Sequence, residues 1–225
     1  MPKALRVIRM IFLFNFRYFL IQSMKNLFLL IIFFVGISSH TWAQRYDAGF
    51  VFGISATQVD GDSHAGYNKM GAIAGIWVGH RLTSTLYSRM ELRYIQKGSY
   101  AKNAQESSST SFYRMRLNYF EIPLILDYRL RNGFNPLIGL SGGYLIKAKE
   151  MTEYGLLPAE DIQLFRKFEF AGLLGLEYNR SEHWAFTFVY SYSLFPIRPH
   201  KSSITYRWNR GQYNNVLELM ARYKL

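Results

Sequence analysis

The chain has 225 residues, with 27 Lys and Arg against 15 Asp and Glu (formal charge +12), no cysteine, and 17% aromatic residues. The length allows one domain with an appendage, and 49% hydrophobic against 19% charged residues excludes a largely disordered chain. The lack of cysteine excludes disulfides, thiolate metal sites, a cysteine nucleophile and a lipidated N-terminal cysteine, and a mean hydropathy of -0.06 excludes a bundle of membrane-spanning helices.

Residues 1–43 carry Lys3, Arg6, Arg9, Arg17 and Lys25 and no acid. Without these five cations, 22 basic residues face 15 acids, so residues 44–225 carry +7. Met24-Lys25-Asn26 precedes the apolar run 27–37, followed by Ser38, Ser39 and Thr41-Trp42-Ala43. That order of basic, apolar and small residues is the pattern of an export signal, with Ala43 at the last position before cleavage. The run is too short to span a membrane by itself. Residues 24–43 are therefore expected to be a cleavable signal segment, with the mature chain starting at Gln44 and residues 1–23 a misassigned upstream extension. The alternative is a helical leader that forms a signal anchor together with 27–37.

From Tyr46 onward the apolar pattern has period 2, the repeat of a β-strand. In 46–55, Ala48, Phe50, Phe52 and Ile54 alternate with Gly49, Val51, Gly53 and Ser55. Segment 71–80 is glycine-rich, as is 136–147, and glycine within a strand points to the tight curvature of a small closed barrel. In 86–94, Leu86, Met90, Leu92 and Tyr94 alternate with Tyr87, Arg89, Glu91 and Arg93, Ser88 being the exception. Phe120, Ile122, Leu124, Leu126 and Tyr128 then alternate with Tyr119, Glu121, Pro123, Ile125 and Asp127. Phe168, Phe170, Leu174, Leu176 and Tyr178 oppose Lys167, Glu169, Ala171, Leu173, Gly175 and Glu177. Trp184, Phe186, Phe188, Tyr190 and Tyr192 oppose Ala185, Thr187, Val189, Ser191 and Ser193. The last strand sets Leu217, Leu219, Ala221, Tyr223 and Leu225 against Glu218, Met220, Arg222 and Lys224.

Eight strands result, joined alternately by short turns (81–85, 129–135, 179–183) and long polar links (56–70, 98–111, 148–163, 195–212). This alternation predicts an all-β fold, an eight-stranded antiparallel up-and-down transmembrane β-barrel over 44–225, in the outer membrane with both termini periplasmic. A soluble periplasmic barrel with its apolar face inward, binding an apolar ligand, shows the same period. Three features favour the membrane: large aromatics crowd the apolar faces, Gly, Ala and Ser mix with charges on the others, and Tyr94, Tyr128, Tyr178 and Tyr223 mark strand ends where an aromatic girdle would lie. Tyr223 and the terminal Leu225 resemble the C-terminal signal read by the outer-membrane assembly machinery.

Tyr119-Phe120-Glu121-Ile122-Pro123-Leu124-Ile125-Leu126-Asp127-Tyr128 resembles the central strand of the PorT-like outer-membrane β-barrel family of Bacteroidetes. Phe170-Ala171-Gly172-Leu173-Leu174-Gly175-Leu176-Glu177-Tyr178 resembles a later strand of that family, and Trp42-Ala43-Gln44 its cleavage context. The likeness covers most of 46–225. It implies a barrel that takes part, as the family's namesake does, in type IX secretion of surface-bound and secreted proteins, with other envelope or secretion proteins as partners.

The charges sharing the inner parity are Arg89, Glu91, Arg93, Glu121, Asp127, Lys167, Glu169, Glu177, Glu218, Arg222 and Lys224. On the lipid face each would cost about 2–4 kcal/mol at mid-membrane, which fixes them in the lumen. The interior of eight strands is only wide enough for side chains, so a salt-bridged polar plug is expected there rather than an ion or proton path. Pro123 lacks an N–H and predicts a local kink. Asp60-Gly61-Asp62-Ser63-His64 lacks the remaining acids of a calcium loop and reads as a solvated turn. His200, Ser202 and Glu218 invite comparison with lipid A-modifying hydrolases, but nothing in their spacing brings them together. No cofactor, metal or catalytic group is expected. The basic residues Lys97, Lys102, Arg114, Arg116, Lys147, Lys149, Arg166, Lys167, Arg198, Lys201, Arg207 and Arg210 fall in or beside the long links. For an exported chain they point to lipid and lipopolysaccharide headgroups rather than nucleic acid.

Overall fold

The computed structural model describes residues 46–62, 66–104, 110–158, 164–199 and 211–225. The expected signal segment and the residues before it lie outside these. Eight long strands follow in order: β1 Tyr46–Asp60, β2 Lys69–Arg81, β3 Leu86–Ala104, β4 Thr110–Tyr128, β5 Phe134–Thr152, β6 Phe168–Asn179, β7 Trp184–Ser193 and β8 Gly211–Lys224. Each pairs antiparallel with the next, and β1 pairs with β8 from Gly49↔Lys224 to Asp60↔Tyr213, closing an up-and-down ring of eight. Two-residue strands Gly155–Leu156 and Arg198–Pro199 pair with β5 and β8.

Period 2 sorts the side chains as pleating requires. Outward positions are apolar and uncovered, with Phe50 49%, Leu124 57% and Leu174 62% exposed. Inward positions are sealed, with Arg93 1% and Glu218 0% exposed. Such a molecule would present a band of bare hydrocarbon to water, which only a lipid environment makes favourable. The alternative of a soluble carrier with an apolar interior is thereby corrected, because the interior is ionic.

The short links match the expected turns: Leu82 N–H donates to Leu86 O at 3.0 Å, and Arg180 N–H to Trp184 O at 3.0 Å. The long links are shorter than expected, because β3, β4 and β5 run for 19 residues each. Their outward faces change character at one level. Tyr94 pairs with Phe120, Phe120 with Tyr144 and Tyr144 with Phe168, forming an aromatic row across four strands. Beyond it the ladder continues through Gly98↔Arg116 and Tyr100↔Arg114, but most outward residues are polar, Gln96, Lys102, Asn118, Lys147 and Lys149 among them. On β3 both faces are then polar and the alternating signal vanishes although the strand persists; on β4 it inverts, with Met115 and Leu117 buried inward and Arg116 exposed outward. Tyr94 thus lies within a strand, whereas Tyr128, Tyr178 and Tyr223 lie near strand ends at the opposite rim, where Trp184 packs on Tyr223 at 5.0 Å between ring centroids.

Pro123 produces no register shift. Met90↔Leu124 and Arg93↔Glu121 keep one register while the ladder skips the two residues between. The irregularity falls instead between Asn118 and Tyr119 against β5.

Candidate functional site in the barrel interior

β3 supplies three cations at alternate inward positions, Arg89, Arg93 and Lys97, and each is held by carboxylates from other strands. Arg89 contacts Glu91 at 3.0 Å, Asp127 on β4 at 3.3 Å and Glu177 on β6 at 2.5 Å. Arg93 contacts Glu121 on β4 at 3.1 Å and Glu218 on β8 at 2.8 Å, with Glu91 at 3.6 Å. Lys97 lies 2.5 Å from Glu121 and 3.1 Å from Glu169 on β6. Arg222 on β8 reaches Glu177 at 2.5 Å and stacks over the Trp77 ring at 4.2 Å. Hydroxyl and amide groups add hydrogen bonds to two of the acids: Ser193 donates to Glu169 at 2.6 Å, Asn214 to Glu169 at 3.1 Å and Thr187 to Glu177 at 3.2 Å. The charges are desolvated, so each must be met by a partner of opposite sign.

Room beside these long side chains comes from glycine on the neighbouring strand, β2, where Gly75 pairs with Arg93 and Gly79 with Arg89. A Cβ added at Gly75 would sit 2.7 Å from the Arg93 Cα, and one at Gly79 would sit 2.4 Å from the Tyr87 hydroxyl. The Tyr87 hydroxyl in turn donates to Asp47 at 3.0 Å.

Nine of the residues expected in the lumen are buried there: Arg89, Glu91, Arg93, Glu121, Asp127, Glu169, Glu177, Glu218 and Arg222. Two are placed differently. Lys167 precedes β6 and is exposed, because the strand begins one residue later. Lys224 is half-buried at the turn end and pairs with Asp47 at 2.6 Å, away from the main network. Lys97, expected beside a loop, is fully buried.

Arg198, also expected in a loop, is 7% exposed and contacts Glu150 on β5 at 2.7 Å. It belongs to a segment crossing the loop end of the barrel, where Ile197 N–H donates to Gln212 O and Arg166 N–H to Ile197 O, both at 2.7 Å. Ile197 joins Val59, Met115, Leu117 and Val216 in a buried apolar cluster. The ionic interior is therefore capped by packed hydrocarbon.

Among the described residues no three His, Asp or Glu converge on a metal position. Asp60 accepts from Gln58 and Asn215, whereas Ser63 and His64 lie outside the described residues. So do His200 and Ser202, and Glu218, the acid considered with them, is engaged by Arg93 inside the barrel. Leu225, at the chain end, is exposed, and its N–H donates to Ala48 O at 3.0 Å.

No curated protein matches the sequence. Similar solved structures include the attachment invasion locus protein Ail of Yersinia pestis, in complex with the heparin analogue sucrose octasulfate (13% identity, TM-score 0.46, 80% of this chain and 99% of that one). Neisserial surface protein A (14%, 0.43, 80% and 96%) and OprG of Pseudomonas aeruginosa (13%, 0.35, 80% and 94%) are others. The sequence pattern described as "Outer membrane protein beta-barrel domain" matches residues 39–198. The chain belongs to the outer membrane protein beta-barrel domain family.

Proposed function

We propose that this outer-membrane barrel is a non-conducting structural and interaction protein that serves as an accessory of type IX-like protein secretion. Its termini lie in the periplasm, and the β3–β5 wall faces the cell exterior. The observation that carries the non-conducting role is the interior itself. Arg89, Arg93 and Lys97 are locked to acids from three other strands, and Ile197 packs across the loop end, which leaves a brace rather than a path. Work is then done on the outside, by a wall that rises beyond the aromatic row and offers polar edges to other envelope proteins. The secretion role draws on the resemblance of Tyr119–Tyr128 and Phe170–Tyr178 to PorT-like barrels. Tyr223 and Leu225 serve recognition by the assembly machinery.

Deleting the gene and comparing surface-bound and secreted proteins tests the role. Loss of a defined set of secreted proteins is expected, and an unaltered set contradicts it. Orientation is read separately with Tyr154→Cys, a position 93% exposed in a long link: labelling by an impermeant maleimide on intact cells is expected, and protection until lysis contradicts it.

A further inference from the structure

Beyond the aromatic row, the outer wall of β3–β5 holds a concavity of about 550 Å³ lined by Arg114, Arg116, Lys147 and Lys149, with the largely buried Lys69 of β2 at its edge. Arg116 and Lys149 are direct cross-strand partners, an arrangement of like charges that destabilises a sheet by itself. Among the described residues no carboxylate pairs with any of the five. Arg114 instead stacks on Tyr100 at 5.0 Å, which fixes its guanidinium without neutralising it. Below the cluster lie the aromatic row and then bare hydrocarbon. There Leu124, Leu140 and Leu174 border an apolar depression of about 830 Å³, to which Gly172 contributes space because it carries no side chain.

We infer that this cradle binds the headgroup of an outer-leaflet glycolipid carrying two phosphate monoesters, whose acyl chains lie on the apolar wall beneath. The inference rests on the proposal that the loop end faces outward. Position selects an amphiphile: the cations sit where a headgroup meets the hydrocarbon, and a free anion would leave the depression uncovered. Charge selects the number of phosphates. Each monoester carries about −1.5 to −2 at neutral pH, so two of them balance most of five cations, whereas a phosphodiester with a single charge balances one. Arg116 and Lys149, side by side, suit one phosphate with charge-assisted hydrogen bonds, and relief of their mutual repulsion adds to the affinity.

The test uses the full mature barrel, folded in micelles, with lipid adducts counted by native mass spectrometry. The probes are bisphosphorylated lipid A, the same glycolipid stripped of phosphate, phosphatidylglycerol, and inorganic pyrophosphate as competitor. Substituting R114Q, R116Q and K149Q together is expected to lower lipid A retention at least about tenfold, as is removal of the lipid's phosphates from the wild-type complex. R131Q with R180Q, which removes exposed cations at the turn end, is expected to leave retention unchanged. Retention by the triple variant overturns the inference, provided its folded gel mobility is kept. Equal retention of phosphatidylglycerol overturns it in favour of a general anionic surface, and displacement by equimolar pyrophosphate in favour of a free-phosphate site. Should the triple variant misfold, the stripped-lipid comparison on wild-type protein decides alone. Because the assay reads no secretion phenotype, its failure and that of the accessory role are separate results.

Discussion

Arg93 on β3 and Glu218 on β8 form a two-pronged ion pair, Nη1 lying 2.8 Å from Oε2 and Nη2 2.9 Å from Oε1, although β1 and β2 separate their strands in the ring. The pair spans the lumen where Gly53 and Gly75 leave those two strands without side chains. It ties the chain's last strand to a strand formed much earlier. The fork geometry, which lysine cannot reproduce, makes arginine the suitable residue at this position.

Arg93→Met is therefore expected to destabilise the barrel by about 3–5 kcal/mol, because Glu121 and Glu218 would remain buried without their partner. Urea unfolding, followed by the shift between folded and unfolded gel mobility, measures this. Adding Glu218→Gln should restore part of the loss, since one of the stranded charges is then gone. A single variant as stable as the wild type would deny the pair any structural weight.

Lys97 and Lys102 lie five residues apart on one strand and should respond unequally. Lys97→Met leaves Glu121 and Glu169 short of a cation and is expected to lower stability by a similar amount. Lys102→Met, at an exposed position, should fall within about 0.5 kcal/mol of the wild type. The same unfolding assay compares them, and equal effects would contradict the burial of Lys97.

That contrast shows what the sequence conceals. The alternation of Phe120, Ile122, Leu124 and Leu126 with Glu121 and Asp127 is legible because lipid and lumen demand opposite chemistry on the two faces. Past Tyr94 this opposition ends on β3: Gln96, Tyr100 and Lys102 face outward while Lys97 and Ser99 face inward, and the residues from 98 onward read as a link. The ladder that keeps them extended leaves no trace in side-chain polarity. Arg198 is hidden for another reason, since its partner Glu150 is 48 positions earlier and only the closed ring brings them together. Lys167 shows the reverse error, where parity extended one residue too far places an exposed cation in the lumen.

The aromatic row should act as a boundary for introduced charge. Leu124→Arg, on the lipid-facing surface, is expected to cost about 2–4 kcal/mol. Asn118→Arg, one outward position beyond Phe120 on the same strand, should cost less than about 1 kcal/mol. Refolding into lipid vesicles with urea titration gives both values. If the two penalties agree, the row does not mark the edge of the hydrocarbon.

The capped interior predicts electrical silence. The purified barrel added to a planar bilayer should give no conductance steps above the bare membrane, because Ile197 and the Arg198–Glu150 pair block the loop end. Stable, reproducible steps from wild-type protein would contradict the filled lumen.

The most direct test uses the absence of native cysteine. Nitroxide labels placed one at a time at positions 120 to 127 of β4, in barrels reconstituted into vesicles, report access to oxygen and to a polar relaxation agent. Phe120, Ile122, Leu124 and Leu126 are predicted to give high oxygen access, with Glu121, Pro123, Ile125 and Asp127 low for both agents. The opposite phase, with the odd-numbered positions in contact with lipid, would contradict the orientation on which the account depends.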